Sequence, residues 1–282
     1  MSKKLNKLVD INGLREFKSK LNAQNVFESW PDGAEAHNAM WGGRDITAAF
    51  DAGTVSEHIA DGTFKDIFPG DYITKQVTIS GTAYTVNWVI ADCDYWINKG
   101  DAAMIAHHVA IVPLTQIFFA RMNSTNTTAG GYKGSEMYKN VIPACATGIV
   151  SAFGSGHILT FMDALTNSVD TSHVSSGFPQ YMGTPSGSEW VSVQCNLMSE
   201  KMVYGAPICA AGAMDNMMAT RQMSAFRLSG RLINYNRQGW WLRDVVSYAA
   251  FALAGDAARG DYARYNLASH ADGGVRPFAL LV

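Results

Sequence analysis

The chain has 282 residues, 48% of them hydrophobic and only 16% charged, with a formal net charge of −2. That length buries a core without metal or disulfide staples, and that charge offers no basic field to neutralise phosphates. A nucleic-acid partner, an acidic tail, a collagen-like repeat and bulk disorder are excluded on these grounds.

Met1 to Phe17 carries Lys3, Lys4 and Lys7 with no apolar stretch behind them, so no signal peptide is predicted and synthesis in a cytoplasm is expected. No apolar run approaches 18 residues. The best, from Ala102 to Ala120, is interrupted by His107, His108, Pro113 and Gln116, and no membrane insertion is expected. Residues 10–22 predict a short helix, because Ile11, Leu14, Phe17 and Leu21 recur at steps of three and four behind a capping Asp10 or Asn12. Its apolar stripe is narrow. It suits either docking on its own domain or a small attachment or self-association element.

From Trp41 onward the texture changes to short strands and turns. Tyr72 to Ile79 alternates, Gly81-Thr82 supplies a turn, and Tyr84 to Ile90 resumes as a second strand, so 71–91 predicts a hairpin. His107 to Leu114 is a further strand, stopped by Pro113. A polar loop from Arg121 to Gly131 holds Asn123, Asn126 and a Gly-Gly pair. Ser135 to Val150 predicts a helix with Met137, Val141, Ile142, Cys145 and Ile149 on one side and Pro143 as a source of kinking. His157–Leu165 and Glu189–Leu197 are strand candidates on either side of a Gly/Ser/Pro-rich loop. The fold class expected from this order is α+β, with antiparallel strands and long loops.

Catalytic and metal signals are weak. Adjacent His107 and His108 on a strand would point to opposite faces, and neither has a carboxylate at a recognised spacing. Gly154-Ser155-Gly156-His157 misses the nucleophile-turn pattern, since Phe153 stands in place of its first glycine. Asp92, Asp94 and Asp101 lack the Gly and Glu of a calcium loop and are expected to be turn residues around Trp96. Asn123-Ser124-Thr125 and Asn126-Thr127-Thr128 match the glycosylation pattern, but without a secretion signal they mean a loop rich in side-chain hydrogen bonds. Arg259-Gly260-Asp261 is a chance tripeptide. Cys93, Cys145, Cys195 and Cys209 form no metal pair and are expected to be buried thiols. The chain does not read as an enzyme. Cleavage of a cell-wall polymer would need paired carboxylates; Glu136 and Glu200 are available, but nothing in their context singles them out.

The carboxy-terminal stretch is the informative one. Between Asp244 and Asp272 there is no Lys, Glu, Gln, Met or Trp. None of these five can be reached from an Asn codon (AAT or AAC) by changing only its two adenines. Tyr, Asp, Ser, Arg, His, Ala, Val and Leu all can, which is the pattern expected of adenine-directed mutagenesis. The window is also rich in the Tyr, Ser, Asp and Arg types of adaptable binding surfaces.

The flanks of this window carry a resemblance. Trp240-Trp241-Leu242-Arg243 before it and Gly274-Val275-Arg276-Pro277 after it resemble the frame of C-type-lectin-fold variable proteins of diversity-generating retroelements, the group that contains phage tropism determinants. Trp41-Gly42-Gly43-Arg44-Asp45-Ile46-Thr47, Gly62 to Asp71, and Met122 to Thr128 with Gly130-Gly131-Tyr132 are similar to segments of tailed-phage structural proteins.

The resemblance implies a C-type-lectin-like fold over 41–282, with a variable region at about 240–282 and an N-terminal helical attachment or oligomerisation segment over 1–40. The expected function is a virion receptor-binding protein. The ligand-binding residues would be Ser247, Tyr248, Asp256, Arg259, Asp261, Tyr262, Arg264, Tyr265, His270 and Asp272. Trp240, Trp241, Leu242, Val275, Pro277, Phe278 and Leu280 would form the buried frame, with Arg243 and Arg276 meeting buried carbonyls or carboxylates, and Ala249, Ala252 and Ala268 would suit packing. The Glu-Pro-Asn and Gln-Pro-Asp motifs of true lectins are absent, so neither calcium nor another metal or cofactor is expected. Expected partners are a bacterial surface protein or glycan, other virion proteins and further copies of the chain, as trimers on the family analogy. The alternative is a non-diversified structural virion protein of tail or capsid.

Overall fold

The computed structural model describes residues 31–166, 169–170, 184–185, 187–210, 221–256 and 260–282, and the side chains of 166, 169–170, 184–185, 256 and 260–262 lie outside that description. The helix expected over 10–22 also lies outside it. Residues 31–40 pack onto the rest: buried His37 uses Nδ1 on the Ile67 carbonyl, and Asn38 donates to Asp92 and to the Cys93 carbonyl.

The fold is α+β, with mostly antiparallel sheets and few helices. The strands are β1 Tyr72–Ile79, β2 Thr82–Cys93, β3 Val109–Pro113, β4 Phe118–Phe119, β5 Phe161–Thr166, β6 Val169–Asp170, β7 Thr184–Pro185, β8 Ser188–Val193, β9 Cys195–Leu197, β10 Trp240–Val245, β11 Ala250–Asp256, β12 Gly260–Leu267, β13 Gly274–Val275 and β14 Pro277–Leu281. One five-stranded sheet has the order β1-β2-β3-β14-β9. A second has the order β12-β11-β10-β13-β4, and β5-β8 and β6-β7 form small pairs. Only β10 and β13 run parallel among these pairs.

The expected hairpin is present, one residue away from its expected turn. Ile79 pairs with Thr82, so Ser80 and Gly81 are the loop, with φ of 49° and 83°. Two successive positive φ values match the twist of the flanking strands, the geometry favoured in two-residue hairpins.

In the first sheet β3, β14, β9 and the second half of β2 are buried on both faces, which explains their unbroken apolar runs, while β1 alternates between buried and open positions. Trp88, Ile90, Val109, Ile111, Ala279 and Leu281 face one core, while Val89, Ala91, Ala110, Val112, Phe278 and Leu280 face the other. The first core is closed by the helix Ile142–Phe153, whose Ile142, Cys145, Ile149 and Phe153 are buried. A Cβ added to Gly148 would stand 2.5 Å from the Thr78 carbonyl oxygen, so glycine sets how closely this helix approaches β1. The stretch before it, Met137–Val141, is a π-helical turn. Pro143 has no N–H to bond back with, and the backbone ahead of it widens instead of continuing the α-helix expected from residue 135.

The four cysteines are buried and free. Burial pushes the Cys145 and Cys209 thiols up to about 12 and raises those of Cys93 and Cys195 further from use as nucleophiles.

Candidate functional site

The second sheet carries the window. Trp240, Trp241, Leu242, Val275, Pro277, Phe278 and Leu280 are all buried, as the frame requires. The Trp240 indole N–H donates to the Ile233 carbonyl at 2.8 Å and that of Trp241 to the Ala120 carbonyl at 2.7 Å. Arg243 pairs with buried Asp163, which also accepts from Asn196 Nδ2 at 2.8 Å. Arg276 lies where the chain passes from β13 of one sheet to β14 of the other. Its guanidinium donates to the carbonyls of Pro113 (2.6 Å) and Leu232 (2.9 Å) and sits over the rings of Trp240 and Phe226.

The polar loop 121–131 proves to be the mount of the window, a role its composition alone did not signal. Its internal scaffold is Asn123, which donates to Thr127 O and accepts from the Glu136 N–H. Outward, the Asn123 N–H donates to Ala268 O (2.9 Å) and the Thr128 N–H to Tyr248 O (2.9 Å). The Thr128 hydroxyl donates to Ser247 O at 2.6 Å, and Asn126 Oδ1 accepts from the Ser269 N–H and hydroxyl. The Ala268 N–H donates across the window to Ala249 O at 2.8 Å. The outward bonds, apart from the Ser269 hydroxyl's, use main-chain groups of the window, so they hold its backbone whatever side chains it carries.

The side chains divide by position. Tyr248 is 55% exposed and Asp272 is exposed. Arg264 and Tyr265 are half-buried on β12, opposite Leu253 and Ala252. Tyr265 packs on the second core, since it shares a face with Ala252 and Ala263, so it is a support as much as an anchor. His270 is half-buried, edge-on to Trp241. Ser247 is 3% exposed and belongs to the frame, which corrects its assignment as a ligand-binding residue. Ala249, Ala252 and Ala268 are buried. The side chains of Asp256, Arg259, Asp261 and Tyr262 lie outside the described residues. Leu267, 48% exposed beside these positions, was not singled out because a leucine at a strand end carries no binding signal by itself.

The other chemical candidates resolve into structural roles. His107 and His108 stand before β3 and converge on one carboxylate, Asp94, which lies at none of the recognised spacings. Asp94 accepts from His107 Nδ1 at 2.7 Å and from the His108 N–H at 3.0 Å. The Trp96 N–H donates to His108 Nε2 at 2.9 Å, so the imidazole is neutral with its proton on Nδ1, facing the Ala106 carbonyl. Burial, the largest cause, lowers the His108 pKa. The unfolded chain therefore takes up a proton here near pH 6.5 that the folded chain resists, and stability falls as pH drops below that value. The urea midpoint should decline less between pH 7.5 and 5 in His108→Gln than in the wild type, and equal declines would contradict this.

Asp92 is not a turn residue but the buried end of β2, bound by Arg221. Glu200 is buried and accepts the N–H groups of Ile208, Cys209 and Ala210, so its carboxylate holds a loop. Glu136 is bonded by the Ser124 hydroxyl, which lowers its pKa. His157 Nδ1 lies near the Ser56 hydroxyl and the Val282 carbonyl and does not adjoin a nucleophile turn. Among the described residues no group of three His, Cys, Asp or Glu could hold a metal ion, and no helix is long and apolar enough to cross a membrane.

No family model matches the chain, and no curated protein or solved structure matches it.

Proposed function

We propose that this chain is a virion receptor-binding protein of C-type-lectin-like fold, displaying a retroelement-diversified, non-catalytic binding surface between Ser247 and Asp272. The observation that carries this reading is the mounting of the window. Its backbone is tied at Ser247, Tyr248, Ala268 and Ser269 by a loop that reads main-chain atoms, while Tyr248, Leu267 and Asp272 point to solvent. A surface that must accept many side chains needs such sequence-blind attachment. The residue types available from adenine changes are those that serve as adaptable contacts.

The mechanism is non-covalent adhesion. Tyr248 is the exposed aromatic anchor, Arg264 and Asp272 set polarity, and avidity among several copies strengthens weak single sites. Trimerisation and attachment through the first 40 residues belong to the same proposal, as does a bacterial surface protein or glycan as the target.

The double variant Tyr248→Ala/Asp272→Ala tests the reading. Purified protein should lose on the order of 30-fold or more in binding to envelopes of the bacterium the particle infects. Its stability should stay within about 0.5 kcal/mol of wild type, as for exposed positions generally. Unchanged binding with particles that fail to assemble would instead favour the purely structural virion role.

A further inference from the structure

A second surface, sharing no residue with the 247–272 window, is built around Trp41. Trp88, Trp96, Trp240 and Trp241 are buried, but Trp41 is 41% exposed. It is nevertheless fixed. Gly43 and Gly70 both have positive φ, and a Cβ on either would stand 2.9 and 2.6 Å from indole atoms, so the ring lies directly on bare backbone. The strap that carries it is clipped down by the Gly42 N–H on Pro69 O (2.9 Å) and the Arg44 N–H on the buried Asp71 carboxylate (2.8 Å).

The indole and Tyr235, 45% exposed, wall a cleft of about 290 Å³ floored by Val89, Leu114 and Leu232. Ser229 and Arg231 stand at its rim, with the Arg231 guanidinium 5.4 Å from the Tyr235 ring centre. Among the described residues Arg231 is the one charged residue of the lining, and no carboxylate lines the cleft with it.

We infer that this cleft binds an acidic sugar ring, of the uronic-acid type. The C–H face of a pyranose carries slight positive charge and stacks on the negative face of a fixed indole, losing little side-chain entropy. The ring's carboxylate meets Arg231, the natural fork for a planar anion, and its hydroxyls reach Ser229 and the Tyr235 hydroxyl. A quaternary ammonium group, the other common guest of aromatic walls, is disfavoured by the guanidinium already over Tyr235. The inference does not rest on the adhesion reading of the window.

Glucuronate, with glucose as the neutral control, is the probe. Saturation-transfer NMR on the full chain should detect glucuronate with a Kd on the order of 1 mM, the affinity expected of so small a ligand. Trp41→Ala should weaken it at least tenfold. Because that change could also loosen the strap, the exposed-residue variants Tyr235→Ala and Arg231→Gln are measured alongside. Each should weaken glucuronate several-fold with an unchanged circular dichroism spectrum, and Arg231→Gln should erase the preference over glucose. Absence of glucuronate binding by the wild type, equal binding of glucose, or binding unaffected in Tyr235→Ala and Arg231→Gln would overturn the inference. So would displacement of glucuronate by an aromatic peptide bound more tightly at the same residues.

Discussion

Trp241→Ala is expected to lower stability by about 3–5 kcal/mol, the range for truncating a large aromatic side chain in a core. Trp241 is fully buried in the core beneath the second sheet and pairs with Leu253 of β11. Its indole N–H is the link to Ala120 at the start of the 121–131 loop, and its ring meets His270 in the window. Gly273 is close enough that a Cβ there would collide with the indole at 2.1 Å. Removing the ring thus empties a cavity and removes one of the ties between the loop and the sheet it supports. Chemical denaturation reads the loss, and ligand binding should fall with it because the mount of the window loosens. A soluble Trp241→Ala protein of wild-type stability would contradict the frame assignment.

Arg243→Ala should cost a similar amount, about 3–5 kcal/mol, by a different route. Arg243 and Asp163 are both nearly excluded from water, and Asn196 completes the cluster with a bond to the same carboxylate oxygen. Deleting the cation leaves Asp163 buried without its main countercharge. Replacing both partners with apolar residues of similar volume, as in Arg243→Met/Asp163→Leu, should recover much of the loss, because no charge is then left stranded. The double-mutant cycle measured by urea unfolding distinguishes this from simple loss of packing. A double variant less stable than the sum of the singles would show that the ion pair is not the source.

The parts of this molecule that sequence made legible are those governed by short-range periodicity. Tyr72–Cys93 declared its hairpin through alternation, and the helix behind Pro143 declared itself through Ile142, Cys145 and Ile149. Burial of Trp240, Trp241 and Phe278 was expected from the resemblance of the flanking frame, and these side chains are large and apolar. Pairing at a distance was not legible. Nothing in the spacing of Asp94, His107 and His108 announces that one carboxylate serves both histidines across a turn. The long strand expected over 189–197 is instead two strands in different sheets, because β8 pairs with β5 and β9 with β14.

The site shows the same division. Residue type picked out Tyr248, Arg264 and Asp272 without picking out their mount. A serine's chemistry suits a binding surface, but Ser247 is drawn inward because its carbonyl is held by Thr128. Tyr265 follows the strand parity of Ala263, which a list of adaptable residue types does not register.

The most direct test of the central claim is to sequence the DNA on either side of the gene. The account predicts a second, near-identical copy of the codons for residues 240–282 beside a reverse transcriptase, differing only where that copy carries adenine. Differences should fall at the codons for the exposed side chains of Tyr248 and Asp272 and for half-buried Arg264, while those for Trp241, Ala252, Ala268 and Arg276 match. No such copy, or differences spread evenly over the buried positions, would contradict a diversified surface and leave the window an ordinary part of a structural virion protein.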